Sequence, residues 1–385
     1  MSSKYSKTGV DVHKKGIEVF QKNIRNVFPG AFCVVVPDSN FPEYGLILHT
    51  DGAGSKPIVN YLMAKEFNDN SFFKPISQDV LAMNLNDVDC VGSKPLAFVD
   101  YVAINRFNVN KQELLSNLNK SLKKNFSFLR NFEININFAG GETADLPDQV
   151  RTLDVSGTIV SRVKLKDAIT GYKIEPGNYI VGLRSGGKAK YESKENSGIM
   201  CNGLSLARRY LIDKSYEIKY PEISESKVGS YKGRFKLDQN LDEVNMTLGE
   251  ALTSPTRIFS PITKKVLEHF KENVTGIVHN TAGGSTKILR LGKNIHYVKS
   301  NMPKPDPIFY LIQKESGETW WDMHKDFNCG IGMEYIVKDL DTAENIISLA
   351  ESSFGVEARL LGNTRKSDGY NKLTLYTDFG KLNYA

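Results

Sequence analysis

The chain has 385 residues, 40% of them hydrophobic, and its 50 Lys and Arg against 44 Asp and Glu give a formal net charge of +6. This length predicts two domains, and without a basic cluster interleaved with aromatic residues a nucleic-acid-binding protein is not expected. The N-terminus lacks an apolar segment, no stretch reaches the length of a membrane span, and the four cysteines are widely spaced. We therefore expect a cytoplasmic protein with reduced thiols and neither a disulfide framework nor a zinc site.

A predicted helix over residues 17–27 is followed by a strand–turn–helix segment at 44–56. The strand is apolar and is predicted to end in a turn at Asp51, which offers a hard oxygen ligand suited to Mg²⁺. Lys56, at the predicted helix start, offers a positive charge for a phosphate. The alternative is an ordinary strand–turn–helix corner, and the spacing is not that of a P-loop. Two glycines leave room for the backbone to approach a phosphate: Gly52 and Gly54.

The next predicted helix spans residues 78–92 and carries several carboxylates. Asp79 lies in its first turn, where the helix dipole favours a negative charge. Asp87 lies among apolar residues near the helix end, where a carboxylate is costly unless it is paired or binds a metal. Both interpretations of Asp87 stay open from the sequence. A β-rich strand at 96–104 and an amphipathic helix at 111–129 follow.

An alternating strand at 133–138 runs into a glycine-rich acidic motif that contains Gly140, Gly141, Glu142 and Thr143. Taken alone, this motif is typical of a surface turn with an exposed acid.

Taken together, three carboxylates indicate a metal site. Asp51, Asp87 and Glu142 each lie at the predicted end of a strand or helix. Strand ends at one sheet edge lie close in space, so these side chains are predicted to converge on Mg²⁺ bound to a nucleotide.

The second half of the chain opens after a strand at 152–163 and a hinge at 175–177. A strand at 179–183 and a helix at 204–211 follow, with Asn202 near the helix start as either a ligand-contacting residue or a helix cap. The polar composition of residues 213–248 predicts a long excursion of the chain between regular elements.

A strand is predicted at 274–279, and the glycine loop that follows it is a second candidate phosphate cradle, formed by residues 280–284. His279, at the end of that strand, is either a ligand-contacting or a core histidine. Closing strands are predicted at 357–361 and 372–376. The pattern predicts an α+β protein with an N-terminal mixed sheet bearing helices and a C-terminal α+β sandwich.

These motifs together resemble the aminoimidazole ribonucleotide synthetases, or phosphoribosylformylglycinamidine cyclo-ligases, of purine biosynthesis. The resemblance runs nearly from end to end and belongs to a superfamily that also holds formylglycinamidine ribonucleotide synthetase and selenophosphate synthetase. The matching positions are Tyr5 with Gly9, Val10 and Asp11; residues 50–56; 79–83 with Asn86 and Asp87; Pro95, Asp100 and Tyr101; 140–147; 202–206; 255–257; His279 with Gly283 and Gly284; and 327–333.

The resemblance implies a homodimer whose N-terminal sheets pair into a barrel, with residues 1–170 as the ATP, Mg²⁺ and dimerisation domain. Residues 177–385 would form an α+β domain that completes the active-site cleft. The implied metal ligands are Asp51, Asp87 and Glu142, and the implied ATP-binding residues are Gly52, Gly54, Lys56, Asp79, Gly140, Gly141 and Thr143. The implied catalytic residues are Asp51, Lys56, Asp87, Asn202 and His279, and the implied substrate-binding residues are Asn202, Arg257, Gly283 and Gly284.

The implied activity is ATP-dependent cyclisation of formylglycinamidine ribonucleotide, a small-molecule substrate, with no membrane or nucleic-acid partner. One departure from the family pattern concerns Met200, which stands where the family has a histidine and cannot transfer a proton. Residues 28–32 also stand where the family has a glycine-rich segment. Two alternatives stay open: a superfamily ATPase that activates a different amide or acyl substrate, and a nucleotide-binding protein that has lost catalysis.

Overall fold

The computed structural model describes residues 4–11 and 16–385, and its chain is a mixed α+β protein with two principal β-sheets. Residues 1–3 and 12–15 of the predicted N-terminal region lie outside the described residues. No helix in the described ranges is both long enough and apolar enough to cross a membrane. The four cysteines are buried free thiols, as expected.

The α-helices are α1 Glu18–Gln21, α2 Lys56–Phe67, α3 Lys74–Asp89, α4 Lys111–Arg130, α5 Leu204–Leu211, α6 Ser215–Lys219, α7 Leu248–Thr253, α8 Ser260–Phe270, α9 Pro307–Ser316, α10 Trp320–Asp326 and α11 Leu340–Phe354. The strands are β1 Val36–Pro37, β2 Tyr44–Gly52, β3 Lys94–Ile104, β4 Asn137–Asp145, β5 Leu153–Lys164, β6 Tyr179–Arg184, β7 Gly186–Gly187, β8 Asn196–Ser197, β9 Asn240–Leu241, β10 Met246–Thr247, β11 Val274–His279, β12 Ile295–Lys299, β13 Ile331–Val337, β14 Ala358–Lys366, β15 Lys372–Thr377 and β16 Gly380–Tyr384.

The first sheet has five strands in the order β1-β2-β5-β3-β4, and the second has seven in the order β11-β13-β6-β14-β12-β15-β16. Neighbouring strands are antiparallel except for the β3–β4 and β12–β15 pairs, which are parallel. Two small hairpin-like sheets pair β7 with β8 and β9 with β10. The α+β class predicted from the sequence is therefore confirmed.

One face of the five-stranded sheet is covered by helices and the other is open. Helices α3 and α4 pack together, and α3 lies against β2, β3 and β5. On the opposite face Leu48 is 60% exposed and Tyr101 is 38% exposed. The side chains of Thr50 and Thr158 also join across this face, with their hydroxyl oxygens 2.8 Å apart.

Two predicted strand ends are wrong, because the strands continue through the motifs that were expected to terminate them. β2 runs on through Asp51 to Gly52, and β4 begins at Asn137 and runs through the glycine-rich acidic motif. In both cases pairing with a neighbouring strand overrides the local turn signal, since Asp51 pairs with Gly157 and Glu142 pairs with Tyr101.

The helix predicted over residues 17–27 is also wrong in extent, since α1 spans only Glu18–Gln21 and Phe20 is 72% exposed. The polar excursion at 213–248 is well packed and places Tyr231, Leu237 and Leu248 in the core.

Helix α3 joins the two sheets. Each of its residues from Asp79 to Asp89 is buried, and the helix contacts α8 and β11 as well as the first sheet. A helix that is buried on all sides has no solvent-facing stripe on which to place its polar residues. Each of those residues therefore needs a partner inside the protein.

Asp89, at the C-terminal end of α3, shows the energetic cost of this burial. It accepts a hydrogen bond from the Ser260 hydroxyl, and burial raises its pKa from the ordinary 3.8 to about 7. The folded protein thus holds a proton on this carboxyl between about pH 4 and pH 7 that the unfolded chain releases. Its contribution to stability is present at low pH and is lost as the pH rises through 7.

We expect Asp89→Asn, which removes the ionisable group, to stabilise the protein relative to wild type at pH 8, by about 1.4 kcal/mol for each unit of pKa shift. At pH 4.5 most of this advantage should be gone. Urea denaturation of both proteins across this range measures the difference in their free energies of unfolding. A difference that does not change with pH would contradict this account.

Candidate active site

Asp87 is the centre of a buried cluster of charged and polar side chains. Its Oδ1 lies 2.6 Å from Nδ1 of His279, and its Oδ2 lies 3.3 Å from Nε2 of His49 and 3.8 Å from Nζ of Lys287. Burial alone raises the pKa of Asp87, but Lys287 and the hydrogen bonds from His279 and His49 hold it well below its usual range. Asp87 is therefore an anion in the folded protein.

His279 is the neutral partner of Asp87. The amide of Asn86 is oriented by its other contacts, since Oδ1 accepts from the Phe259 N–H and Nδ2 donates to the Arg257 carbonyl. The same Nδ2 lies 3.3 Å from Nε2 of His279, which must therefore be the unprotonated nitrogen. The proton lies on Nδ1 and is donated to Asp87, in agreement with a His279 pKa that burial lowers.

His49 is in the opposite protonation state. The amide of Asn84 donates through Nδ2 to the carbonyls of Asp51 and Val80, so its Oδ1, 3.2 Å from Nδ1 of His49, is an acceptor. Both ring nitrogens of His49 thus face acceptors, which requires an imidazolium. Burial lowers the pKa of His49, but the hydrogen bond and charge of Asp87 outweigh it and the pKa is raised overall.

Asp51 lies two residues further along β2, on the face of the sheet that carries His49. Its Oδ1 accepts a hydrogen bond from the Gly52 N–H at 2.8 Å, while burial and the charge of Asp87 raise its pKa. A carboxyl whose pKa is raised by a second nearby carboxylate is stabilised by an additional cation. The pair formed by Asp51 and Asp87 is thus an oxygen donor set of the kind that Mg²⁺ prefers.

Glu142 lies on the other face of the same sheet. The residues aligned with Asp51 across the sheet include Gly157, where a Cβ would lie 2.9 Å from Val80 of α3, so this row faces the helices. Glu142 is exposed and belongs to the next row, with Tyr101 on the open face. The structure therefore does not bring the three predicted metal ligands together within one chain, and no other group of three potential ligands occurs among residues 4–11 and 16–385.

The glycines of the predicted ATP motif differ in their surroundings. A Cβ on Gly141 would lie 2.0 Å from Oδ1 of Asp100, so close packing requires glycine there. A Cβ on Gly140 would meet nothing within 4 Å, and Gly54 faces only the Cys201 carbonyl. Gly52 packs on β5 beside Ser156, and Thr143 is half-buried within β4. The ATP-binding role of these residues stays a prediction.

Lys56 and Asp79 form a fully buried ion pair. The Nζ of Lys56 lies 2.8 Å from Oδ1 of Asp79 and also donates to the Ser254 carbonyl, and neither side chain is exposed. Oδ1 of Asp79 further accepts from the N–H and the hydroxyl of Thr256. The pair fastens α2 and α3 to the segment before α8, and neither side chain is exposed to solvent.

Two of the predicted substrate residues also hold the fold together. All five N–H groups of Arg257 are used: two bind Glu192 and three bind the carbonyls of residues 184, 186 and 187. Asn202 donates through Nδ2 to the Asp326 carbonyl, and the N-cap of α5 is Gly203, so the helix-cap interpretation of Asn202 is wrong. The Oδ1 of Asn202 is buried without a partner among the described residues. Met200 is fully buried.

The glycine loop after β11 is built by close packing against the turn before β13. A Cβ on Gly284 would lie 2.2 Å from the Phe327 carbonyl, whereas one on Gly283 would meet nothing closer than 3.9 Å. The loop continues into a 3₁₀ helix, Gly284–Arg290. This turn places Lys287 beside Asp87.

The sequence analysis missed His49 and Lys287. The sequence could have identified His49, because it lies two residues before Asp51 in an alternating strand and so must share its face. Lys287 has a weaker signal, as a lysine on the first turn after a candidate phosphate loop.

Comparisons with known proteins identify the family of this chain. Residues 32–163 match the family model described as AIR synthase related protein, N-terminal domain. The phosphoribosylformylglycinamidine cyclo-ligases of Methanococcus maripaludis strain C7 and Methanocaldococcus jannaschii are each 36% identical to this chain, covering 85% and 84% of it and 80% and 79% of their own lengths. The chain belongs to the phosphoribosylformylglycinamidine cyclo-ligase family.

Solved structures share the fold at lower identity. A HypE–HypF complex gives a TM-score of 0.56 at 15% identity and covers 95% of this chain and 97% of the matched chain. The structure of AaThiL complexed with AMPPCP and TMP gives 0.54 at 9% identity and covers 96% of both chains. These similarities place the cyclo-ligase chain in a fold that it shares with other kinds of protein.

We expect the two histidines on Asp87 to differ in protonation at neutral pH. His49 should carry protons on both ring nitrogens and His279 a proton on Nδ1 alone. Long-range ¹H–¹⁵N NMR spectra of histidine-labelled protein measure this, and His49→Gln and His279→Gln variants assign the signals. A neutral His49 or a doubly protonated His279 would contradict the hydrogen-bond assignment.

Proposed function

We propose that the protein catalyses the ATP-dependent cyclisation of formylglycinamidine ribonucleotide to aminoimidazole ribonucleotide, with release of ADP and phosphate, in purine biosynthesis. The observation that carries this proposal is the 36% identity to named cyclo-ligases over about 85% of the chain. The buried carboxylate cluster around Asp87 supports it, since phosphoryl transfer depends mainly on positioned charges. With free thiols throughout, we place this activity in the cytoplasm.

The chemical difficulty of the reaction is that an amide oxygen is a poor leaving group. Phosphorylation of the formyl oxygen converts it into a good one, and a nitrogen of the same molecule then attacks the formyl carbon and expels phosphate. The second step is intramolecular, so the protein mainly has to hold the substrate in a folded conformation.

The site offers groups for the first step. Asp51 and Asp87 are the residues that would hold Mg²⁺, which binds through one or two carboxylates together with phosphate oxygens. When bound, the ion would neutralise charge on the phosphates during transfer. His279 fixes the orientation of Asp87 through its Nδ1–H, and His49 supplies a positive charge on the same carboxylate.

We also infer a homodimer in which the open faces of two N-terminal sheets pair into a barrel, with residues 1–170 and 177–385 as the two domains of each chain. The exposed apolar side chains of Leu48 and Tyr101 support this, because such a face is typical of an interface. In this arrangement Glu142 would meet a second chain, which explains why it lies apart from Asp51 and Asp87 in its own.

A second candidate is a superfamily enzyme that activates a different amide, and Met200 favours it. This residue replaces the family histidine and is fully buried, so it contributes no proton or charge at that position.

Asp87→Asn should abolish turnover, with a loss of at least about a hundredfold, while the fold is retained. The amide keeps an acceptor for His279 but removes the negative charge. Turnover of formylglycinamidine ribonucleotide and thermal unfolding are measured together. The matched control is Asp89→Asn, which removes a carboxylate two residues away that does not contact the cluster and should leave turnover intact. An active, folded Asp87→Asn protein would exclude Asp87 from the site.

Leu48→Asp should convert the dimer to a monomer, because a carboxylate at this position would be buried against the partner sheet without a counter-charge. Sedimentation velocity measures the change. Ile218→Asp is the control, since Ile218 is 81% exposed on α6 and outside the open face. A wild-type monomer, or a dimer that persists in Leu48→Asp, would contradict the barrel arrangement.

A further inference from the structure

A side-chain cation that donates a hydrogen bond to a phosphate oxygen needs an N–H that is not already used. Lys56, predicted for this role, is fully buried with Asp79 at 2.8 Å, and Lys299 is fully buried with Glu334 at 2.7 Å. Both ammonium groups are committed to tight ion pairs. Lys287 differs, because the nearest oxygen of its carboxylate partner, Asp87, is 3.8 Å away, beyond hydrogen-bond distance.

The remaining contacts of Lys287 leave part of its donor capacity unused. Its Nζ donates to the Thr281 hydroxyl and lies 4.8 Å from the centre of the Phe32 ring. An ammonium has three N–H donors, and a hydroxyl and an aromatic face occupy at most two of them. The third has no hydrogen-bond acceptor among the described residues, and Oδ2 of Asp87 lies 3.8 Å from Nζ.

Lys287 is also one of the two partners of Asp87 that keep some contact with solvent. Its side chain is 8% exposed and that of His49 is 21% exposed, whereas His279 is not exposed at all. His49 and Lys287 are therefore the partners of Asp87 that solvent reaches, and the side chain of Asp87 itself is 7% exposed. The loop tip beside them is open, with Ala282 exposed and Gly283 half-buried.

We propose that Lys287 binds the γ-phosphoryl group of ATP as that group passes to the formyl oxygen of the substrate. This inference rests on the proposed function and names a residue for its phosphoryl-transfer step. Lys287 acts as a fixed positive charge that donates a hydrogen bond to a phosphoryl oxygen.

In that step the bond between the γ-phosphorus and the β–γ bridging oxygen breaks, and its electron pair leaves with ADP. The formyl oxygen forms the new bond to phosphorus. The formamide nitrogen releases its proton to solvent as its bond to the formyl carbon becomes double. When the internal nitrogen attacks that carbon, it releases its proton to solvent, the carbon–oxygen bond breaks and inorganic phosphate departs with the electron pair. Transfer of a proton from the ring CH₂ to the exocyclic imine nitrogen, through solvent, then gives the aromatic amine.

The phosphate of the substrate ribose has the same chemistry and is the competing occupant. The position of Lys287 favours the γ-phosphoryl group, because Asp87, one of the two carboxylates proposed to hold Mg²⁺, lies 3.8 Å from its Nζ. Mg²⁺ in such sites is shared with nucleotide phosphates.

The test compares the affinities of β,γ-methylene ATP and ADP, each with Mg²⁺, for wild type and for Lys287→Met by calorimetry. We expect the affinity for β,γ-methylene ATP to fall about tenfold or more, as for a lost charge-assisted hydrogen bond, and that for ADP to change less than about twofold. Lys287→Gln is a second neutral variant, Lys287→Arg should retain the difference between the nucleotides, and exposed Lys293→Met should match wild type.

Equal losses for both nucleotides, or no loss, would overturn the proposal, because a residue that only holds Asp87 in place would affect both ligands alike. An unchanged ratio of the two affinities with a raised KM for the ribonucleotide would assign Lys287 to the ribose phosphate and also overturn it. The binding measurements need no ribonucleotide, so they give an answer even if wild type does not cyclise formylglycinamidine ribonucleotide.

Discussion

The structure depends on one helix that is buried on every side and still carries five polar residues in its last eleven positions. In α3, Asp79 pairs with Lys56 of α2, Asn84 and Asp87 bind β2 through His49, and Asp89 binds Ser260 of α8. Asn86 binds the segment between α7 and α8. A buried polar group without a partner costs free energy, so each of these contacts fixes one neighbouring element against α3. The two sheets are thus joined by polar contacts as well as by apolar packing.

The same requirement separates the charges of the site into two kinds. Asp79 and Lys56 neutralise each other in a closed pair and serve the fold. Asp87 instead binds one neutral histidine closely and a charged histidine and a lysine at longer range. Its charge is therefore not neutralised by a single close ion pair. Pairs of ionisable groups with different environments are a common feature of active sites, and here the contrast lies within one helix. Asp87, rather than Asp79, is therefore the carboxylate that we place in the reaction.

The order of the main elements was predictable, because the long amphipathic helix α4 and the apolar strand β11 have strong local signals. The ends of β2 and β4 were not, since glycine and aspartate indicate a turn locally, whereas the pairing of Asp51 with Gly157 and of Glu142 with Tyr101 depends on distant strands. The residues of the site likewise divide into those that local sequence identifies and those that only long-range contacts bring together. Asp87 and Asp51 were found from their positions, but the burial of Lys56 and the approach of Lys287 arise from contacts about 200 residues apart in sequence.

In the proposed reaction, conversion of ATP to ADP is coupled one-to-one to ring closure. The most direct measurement follows ADP and the aromatic amine product together, with purified protein, Mg-ATP and formylglycinamidine ribonucleotide. The account predicts equal amounts of ADP and amine at all times, and little ADP when the ribonucleotide is left out. Formation of ADP without amine, or binding of ATP with no turnover of this ribonucleotide, would contradict it.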